Sequence, residues 1–239
     1  MRIDFHSHIL PGIDDGSKSV EQSITMLKMA AEQGIDHVVA TPHFYARHDT
    51  PERFLARRAD AEQRLREEMA RHTRLPQISM GAEVYFFRGI SDCDKLSNLT
   101  FGQKNYILIE MAASPWTEAM LAEVGQIYYK QGITPVIAHV DRYIRPLRSF
   151  GIPEKLSQLP VLVQANAEFF LRPYTTAMAL RMLRRQQIHL LGSDCHDLLH
   201  RPPNLGMAYD KIKKCLGPEW VECVDKCGEN VLNGEFLAE

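Results

Sequence analysis

The sequence predicts an α/β fold in which seven parallel strands close, or nearly close, into a barrel. Three observations predict it. Seven short apolar runs recur along the chain, a longer helical pattern follows most of them, and no linker, repeat or low-complexity segment divides the 239 residues. A single domain over 1–239 is therefore expected. The runs are Arg2–Phe5, Asp36–Thr41, Gln77–Ala82, Tyr106–Ile109, Thr134–Ala138, Val161–Ala165 and Ile188–Gly192. Most are continuous in Val, Ile and Leu, as strands buried on both faces should be.

The helical stretches carry their own punctuation. Ser19-Val20-Glu21-Gln22 reads as a capping box, the apolar face continues through Ile24, Leu27 and Ala31, and Gly34 supplies the stop. Thr50 caps a helix with Pro51 at its first position, and Phe54, Ala61, Leu65 and Met69 fall on one face. Trp116 to Lys130 forms a third helix, closed by Gly132. Tyr174 to Gln186 forms a fourth, with Met178, Met182 and Leu183 inward and Arg181, Arg184 and Arg185 on a solvated face. From Leu205 onward the chain reads as helix and core.

Composition excludes several functions. The chain has 28 Lys+Arg against 30 Asp+Glu, a formal net charge of −2, with 45% hydrophobic and 24% charged residues. That is ordinary globular composition, and it lacks the basic excess that a nucleic-acid backbone would require of its partner. Met1-Arg2-Ile3-Asp4-Phe5-His6 carries charges where a secretory signal needs an apolar stretch. No run reaches the ~18 apolar residues of a membrane span. Cys93, Cys195, Cys215, Cys223 and Cys227 are odd in number and irregular in spacing. They fit a reducing cytoplasm, the expected location, better than a disulfide scaffold.

The polar residues of interest fall at the C-terminal ends of the strands. The first strand ends in His6-Ser7-His8, the second in Thr41-Pro42-His43 and the third in Gly81-Ala82-Glu83. The fourth ends in Glu110, the fifth in His139, and the last in Ser193-Asp194-Cys195-His196. Parallel α/β barrels build their active sites at that rim. Residues i and i+2 of an extended chain point the same way, so His6 and His8 can share an ion, as nearly can Asp194 and His196. Carboxylates crowded among imidazoles at buried strand ends need cations, and such N/O donors suit Mn, Fe or Zn. So many donors exceed the needs of one ion; two or three is the natural count. Each residue alone has a bland reading, as a turn residue, a satisfied core histidine or an ion-pair partner. Six strand ends behaving alike is what singles them out. His37, His48, His72, His189 and His200 have no such placement, and Cys223-x-x-x-Cys227 has no partner His.

Together, His6-Ser7-His8-Ile9-Leu10-Pro11, Asp14-Asp15-Gly16, Thr41-Pro42-His43, Gly81-Ala82-Glu83, Ile109-Glu110, Ile137 to Tyr143 and Ser193 to His196 resemble the PHP (polymerase and histidinol phosphatase) metallophosphoesterases. Within that superfamily they resemble the bacterial capsule and exopolysaccharide protein-tyrosine phosphatases, over roughly residues 2 to 230. The resemblance implies a distorted (β/α)7 TIM-like barrel with its active site at the C-terminal strand ends. It also implies three divalent metal ions, manganese in most accounts, with iron or zinc as alternatives. By resemblance, His6, His8, Glu83 and Asp194 hold the first ion, and Glu83 bridges to a second completed by Glu110 and His139. His43, His196 and an aspartate of the Asp14-Asp15 pair hold the third. Asp15 is preferred because it directly precedes Gly16. Arg142 and Arg201 match that branch's phosphate-binding arginines. Glu110, where many PHP phosphatases carry His, favours the tyrosine-phosphatase branch over histidinol-phosphate phosphatase, the alternative activity. The implied partner is a phosphotyrosine protein, namely the tyrosine-rich tail of a bacterial tyrosine autokinase.

Tyr45, Tyr85 and Phe86 adjoin the ligand motifs and could line a tyrosyl ring. A rival mechanism lies in Cys195 to Arg201, which has the Cys-x5-Arg spacing of cysteine-dependent tyrosine phosphatases. Its intervening His-Asp-Leu-Leu-His lacks a small, Gly-rich phosphate cradle, so metal-dependent rather than thiolate chemistry is expected.

Overall fold

Each apolar run forms a strand because alternate faces both have apolar partners. In this computed structural model, which describes residues 1–103, 105–113, 115–144 and 151–235, the chain runs β1 (Ile3–Ser7), α1 (Val20–Glu32), β2 (His37–Ala40), β3 (His43–Phe44), α2 (Pro51–Met69), β4 (Gln77–Met80), β5 (Glu83–Tyr85) and β6 (Tyr106–Glu110). It continues through α3 (Glu118–Gln131), β7 (Thr134–Ile137), α4 (Ile152–Leu156), β8 (Leu162–Asn166), α5 (Ala167–Leu171), α6 (Pro173–Arg184), β9 (Leu190–Gly192), α7 (Leu205–Leu216) and α8 (Pro218–Leu232). All strand pairs are parallel, in the orders β1-β2-β4 and β3-β5-β6-β7-β8-β9.

The two ladders are halves of one curled sheet. The second and third strands of the sequence reading are each split, giving the short β3 and β5 that the apolar runs did not reveal. Pro42 has no N–H to donate, so the pairing breaks there. Backbone bonds nevertheless carry across the break, from Gly81 N to Ala40 O at 2.8 Å and from Glu83 N to Pro42 O at 3.1 Å. His43 and Glu83 are thus paired strand residues rather than residues beyond a strand end.

Closure joins the last strand to the first. Past the end of β9, Asp194 N donates to His6 O at 2.7 Å and His8 N donates to Cys195 O at 2.9 Å. Buried Asp4 accepts the Ser193 N–H at 2.9 Å and the His6 N–H at 3.2 Å, and burial lifts its carboxyl to about 6. The result is a distorted seven-position α/β barrel.

Alternation sorts the strand side chains into two layers. Ile3, Phe5, Val39, Leu108, Val136, Leu162 and Leu190 form one cluster with Phe101, Tyr106 and Val231 of α8. Val38, Ile107, Ile109, Ile137, Val163 and Leu191 join the helices, including Ile24 and Leu27 of α1 and Phe54 and Leu65 of α2. In the C-terminal stretch Leu205 is core as expected, but Met207 is 57% exposed on the outer face of α7; Leu237 lies outside the described residues, and α8 closes one layer. Among the described residues no helix is long and apolar enough to cross a membrane.

The helix ends follow the punctuation with one difference. Thr50 accepts Arg53 N–H at 3.4 Å, Thr117 accepts Met120 N–H at 3.2 Å, and Gly34 and Gly132 leave α1 and α3 with φ of +74° and +65°. Ser19 accepts Gln22 N–H at 3.2 Å, but Gln22 Oε1 takes the N–H of Lys18 at 2.9 Å, so only half of the capping box forms. Buried Ala30, not Ala31, continues the inner face of α1. Arg181, Arg184 and Arg185 are exposed, as expected.

His189 stitches β8 to β9: its N–H donates to Val163 O at 2.9 Å and its Nδ1 accepts Val163 N–H at 3.0 Å. Burial pushes its pKa down to about 4. The folded protein resists a proton that the unfolded chain accepts near 6.5, so stability falls as pH drops from about 6.5 towards 4, by at most about 3 kcal/mol. Urea unfolding of the wild type and His189→Asn at pH 7 and 4.5 should show this extra acid loss in the wild type alone.

Candidate metal centre

Strand ends deliver the polar side chains to one place. β1 carries His6, with His8 just beyond it; β3 carries His43, β5 carries Glu83, and Glu110 ends β6. His139 follows β7, Asp194 and His196 follow β9, and the loop between β1 and α1 brings Asp15. His139 and Asp194 have φ of +32° and +53°, a left-handed backbone that is costly for residues bearing a Cβ. Hydrogen bonds hold both: His139 N–H to Gln164 Oε1 at 2.7 Å and Asp194 N–H to His6 O at 2.7 Å.

Glu83 is the hub, only 1% exposed. Its Oε2 lies 3.1 Å from His6 Nε2, 3.3 Å from His8 Nε2 and 3.0 Å from His43 Nδ1, while Oε1 lies 2.8 Å from His139 Nε2. Asp194 Oδ1 sits 3.5 Å from both His6 Nε2 and His8 Nε2, and Glu110 Oε1 sits 3.6 Å from His139 Nε2. Asp15 Oδ1 lies 3.4 Å from His43 Nε2 and 3.5 Å from His196 Nε2. All nine residues singled out as ligands in the sequence are therefore brought together. Their closest groupings, with donor atoms within 4.8 Å of one another, are His8/Asp15/His43/His196, His6/His8/Asp194 and His43/Glu83/Glu110. His8 thus reaches two groups, and His43 rather than His139 joins Glu83 and Glu110.

The hydrogen bonds fix how these rings face. Gln164 Oε1 accepts a backbone N–H from His139, so it is the amide oxygen, and His6 Nδ1 at 3.2 Å must donate to it. His8 Nδ1 donates to Asp14 Oδ2 at 2.8 Å, and His196 Nδ1 donates to Asp194 O at 3.0 Å. Each neutral ring then turns an Nε2 lone pair into the cluster. His6 Nε2 and His8 Nε2 are only 3.2 Å apart, a repulsive meeting of lone pairs unless a proton or a metal ion lies between them. Among the described residues, Glu83 Oε2 and His196 Nε2 are buried without a hydrogen-bond partner. The donor set of imidazole and carboxylate without thiolate fits divalent first-row metals.

Electrostatics points the same way. Burial alone would lower His8, but Asp14 and Glu83 outweigh it and raise its pKa to about 10. Burial is likewise outweighed at His139, which Glu110 and Glu83 raise to about 9. Burial would raise Glu83 and Asp194, yet the surrounding imidazoles, with the Arg142 guanidinium at Asp194, hold both below the usual carboxylate range. The buried carboxylates stay ionised and demand positive charge.

Arg142 and Arg201 flank the cluster, with side chains 39% and 35% exposed. Both guanidinium groups pair with Asp194, Arg201 at 2.6 Å, and Arg142 also lies 3.6 Å from Glu110. Tyr45 is 38% exposed, stacks on His43 at 5.2 Å and lies 5.7 Å from Tyr85. It borders a cleft of about 400 Å³ shared with Asp14, Asp15, His43, His48 and Arg57. Phe86 instead packs against the core. His48, expected to be bland, lines this cleft; His37, His72 and His189 are occupied by Ser79, Glu68 and Val163.

Two residues were missed by the sequence reading, and a third, Asp14, entered it only as the alternative to Asp15. Asp14, 6% exposed against 66% for Asp15, orients His8 and also accepts the His43 N–H at 3.0 Å. Gln164 and Asn166 of β8 contact His6, His139 and Asp194. Their only sequence signal is two amides at i and i+2 in an otherwise apolar strand.

A parallel α/β barrel whose strand ends gather imidazoles and carboxylates in this number defines a barrel with a candidate metal-binding centre. The chain belongs to the CpsB/CapC family of capsular polysaccharide synthesis, whose family model matches residues 2–230. It is 31% identical over 228 residues to the tyrosine-protein phosphatase CpsB of Streptococcus pneumoniae, covering 90% of this chain and 91% of that protein. It is 29% identical over 243 residues to the tyrosine-protein phosphatase YwqE of Bacillus subtilis, covering 98% and 93%. Its fold superposes with a TM-score of 0.83, at 23% identity over 98% of this chain and 96% of the other, on the crystal structures described as metal-dependent tyrosine phosphatases, YwqE and CpsB.

A metal ion must displace the protons that the carboxylates hold on His8 and His139. Affinity for a divalent metal ion should therefore rise with pH up to about 9–10, with proton release on binding. Without metal, the same raised pKa values give stability that is complete below about 6.5 and is lost as pH climbs through them. Calorimetric titration with Mn2+ in buffers of different ionisation enthalpy checks this; pH-independent affinity without proton release contradicts it.

Proposed function

We propose that this protein is a metal-dependent phosphatase acting on phosphotyrosine in proteins. The observation that carries it is the nine-residue donor cluster, six of its members buried, flanked by two partly exposed arginines. His6, His8, Glu83 and Asp194 would hold one ion, Glu83, Glu110 and His139 a second, and His43, His196 and Asp15 a third, with manganese first among the candidate metals. Such ions supply a hydroxide nucleophile at neutral pH and electrophilic seats for phosphoryl oxygens.

The chain's own groups do the rest. Arg142 and Arg201, now held on Asp194, offer charge-assisted N–H donors to the non-bridging oxygens of a phosphoryl group. Burial of Glu83 and the surrounding rings keeps bulk water from screening that attraction. A tyrosyl oxygen with a pKa of ~10 leaves with little help from an acid. Tyr45 stands where the ring of such a leaving group can lie against it. The substrate is a tyrosine-phosphorylated protein, and the family's place in capsular polysaccharide synthesis supports the tyrosine-rich tail of an autokinase governing that process.

Cys195 takes no part. It is buried in the core, and burial pushes its thiol far above the range at which a thiolate forms. Chelation should abolish hydrolysis of phosphotyrosine peptides, Mn2+ should restore it, and Cys195→Ser should retain it. Loss of activity in Cys195→Ser with retention after chelation overturns the proposal. A higher kcat/KM for histidinol phosphate than for phosphotyrosine peptides overturns the substrate assignment.

Tyr45→Ala should raise KM for phosphotyrosine peptides by roughly 3–10-fold, the loss of an aromatic contact of about 1 kcal/mol. Tyr45→Phe should behave as the wild type. Steady-state kinetics with a phosphoserine peptide as control separates a ring contact from general damage.

A further inference from the structure

β8 is the one barrel strand to which the sequence reading assigned no site residue, yet it touches three proposed ligands. Gln164 Oε1 accepts from His6 Nδ1 at 3.2 Å and from His139 N–H at 2.7 Å. Gln164 Nε2 donates to Asn166 Oδ1 at 3.0 Å, and Asn166 Nδ2 donates to Asp194 Oδ2 at 2.9 Å. Asn166 N–H donates to Asp141 Oδ1 at 2.9 Å, tying down the turn Val140–Arg142 that carries Arg142. Both amides are buried.

The direction of every bond follows from one fixed point. A backbone N–H can only donate, so the His139 contact makes Oε1 the oxygen and Nε2 the donor of Gln164. Asn166 Oδ1 must then accept from Gln164, leaving Nδ2 to face the Asp194 carboxylate, which can only accept when ionised. The same orientation obliges His6 to carry its proton on Nδ1 and to keep Nε2 free for the cluster. His139 and Asp194 are also the two cluster residues with left-handed backbone, and each is contacted by one member of the pair. Space admits nothing larger at the facing strand: a Cβ on Gly192 would lie 2.8 Å from Gln164 Nε2 and 2.6 Å from His6 Cβ.

We propose that Gln164 and Asn166 are positioning residues of the metal centre. Their relay sets the His6 tautomer, steadies the strained His139 and Asp194, and thereby sets metal affinity without either amide binding an ion. This rests on the reading of the site as a metal centre. Hydrogen-bond partners behind metal ligands typically govern affinity by 10–100-fold.

The test is Mn2+ titration of metal-stripped protein by calorimetry, with elemental analysis for stoichiometry and thermal unfolding of the metal-free state. Gln164→Met keeps the length of the side chain but not its polarity, and should weaken the tightest site by about 10–100-fold. Gln164→Glu keeps an acceptor for His6 and His139 and should bind more tightly than Gln164→Met. Asn166→Ala, at the strand end, cuts only the link to Asp194 and provides a second variant should Gln164→Met not fold. A purely structural role would lower the melting temperature of metal-free protein and leave affinity and stoichiometry at wild-type values, and that result overturns the proposal. Failure of the wild type itself to take up metal overturns the underlying reading of the site instead.

Discussion

Burying carboxylates without water is unfavourable unless positive charge comes with them, and Glu83 places that demand at the centre of this barrel. Four imidazoles converge on its two oxygens, and two guanidinium groups converge on neighbouring Asp194. In water such a cluster would disperse into hydrated ions. Inside the barrel it is held because its rings and carboxylates hang from the ends of several strands whose positions the apolar ladder fixes. The near-neutral charge of the whole chain hides this local imbalance of ionised acid awaiting cations. The same imbalance draws protons onto His8 and His139 and makes metal and proton rivals for one place.

Two irregularities of the sheet make the convergence possible. A regular strand through Thr41-Pro42-His43 would keep one ladder throughout; the proline interrupts it, and β3 restarts against β5 with His43 opposite Glu83. At the other seam, the chain leaving β9 bonds to the end of β1, bringing Asp194 and His196 beside His6 and His8. Left-handed backbone at His139 and Asp194 re-aims those side chains where continued extension would send them elsewhere. The strain is local, and it is offset by hydrogen bonds whose acceptors come from β8 and β1.

The barrel and the donor residues that it brings together were legible in the sequence because both are written in strong local signals: continuous Val/Ile/Leu runs and charged or imidazole residues directly after them. What escaped depends on contacts between distant segments. β3 and β5 are too short to have a period, and only their mutual pairing makes them strands. Asp14 and Asp15 are chemically identical neighbours, separable only when the fold buries one against His8 and leaves the other beside His43 and His196. Gln164 and Asn166 carry no charge, and their purpose appears only when residues 158 and 28 positions away come within hydrogen-bonding distance. The capping box failed for a smaller reason: the Gln22 side chain reached the N–H of Lys18, one residue before the cap.

The segment from Cys195 to Arg201 shows why spacing alone cannot choose between a thiolate and a metal mechanism. A thiolate phosphatase needs a nucleophile lowered in pKa and a ring of backbone N–H groups open towards phosphate. Here the N–H groups of Leu199, His200 and Arg201 all turn to Asp197 Oδ1, at 2.7, 2.6 and 3.2 Å. The His196 N–H turns to Arg201 O at 2.9 Å. The loop therefore spends its amides on its own closure, and Cys195 faces the apolar core. What the same loop does present to the cluster is the Asp194 carboxylate, the His196 ring and the Arg201 guanidinium. The left-handed turn at Asp194 and the closed loop to Arg201 leave those groups on the cluster side and the thiol in the core, so the geometry that disarms the cysteine is the one that assembles the donor site.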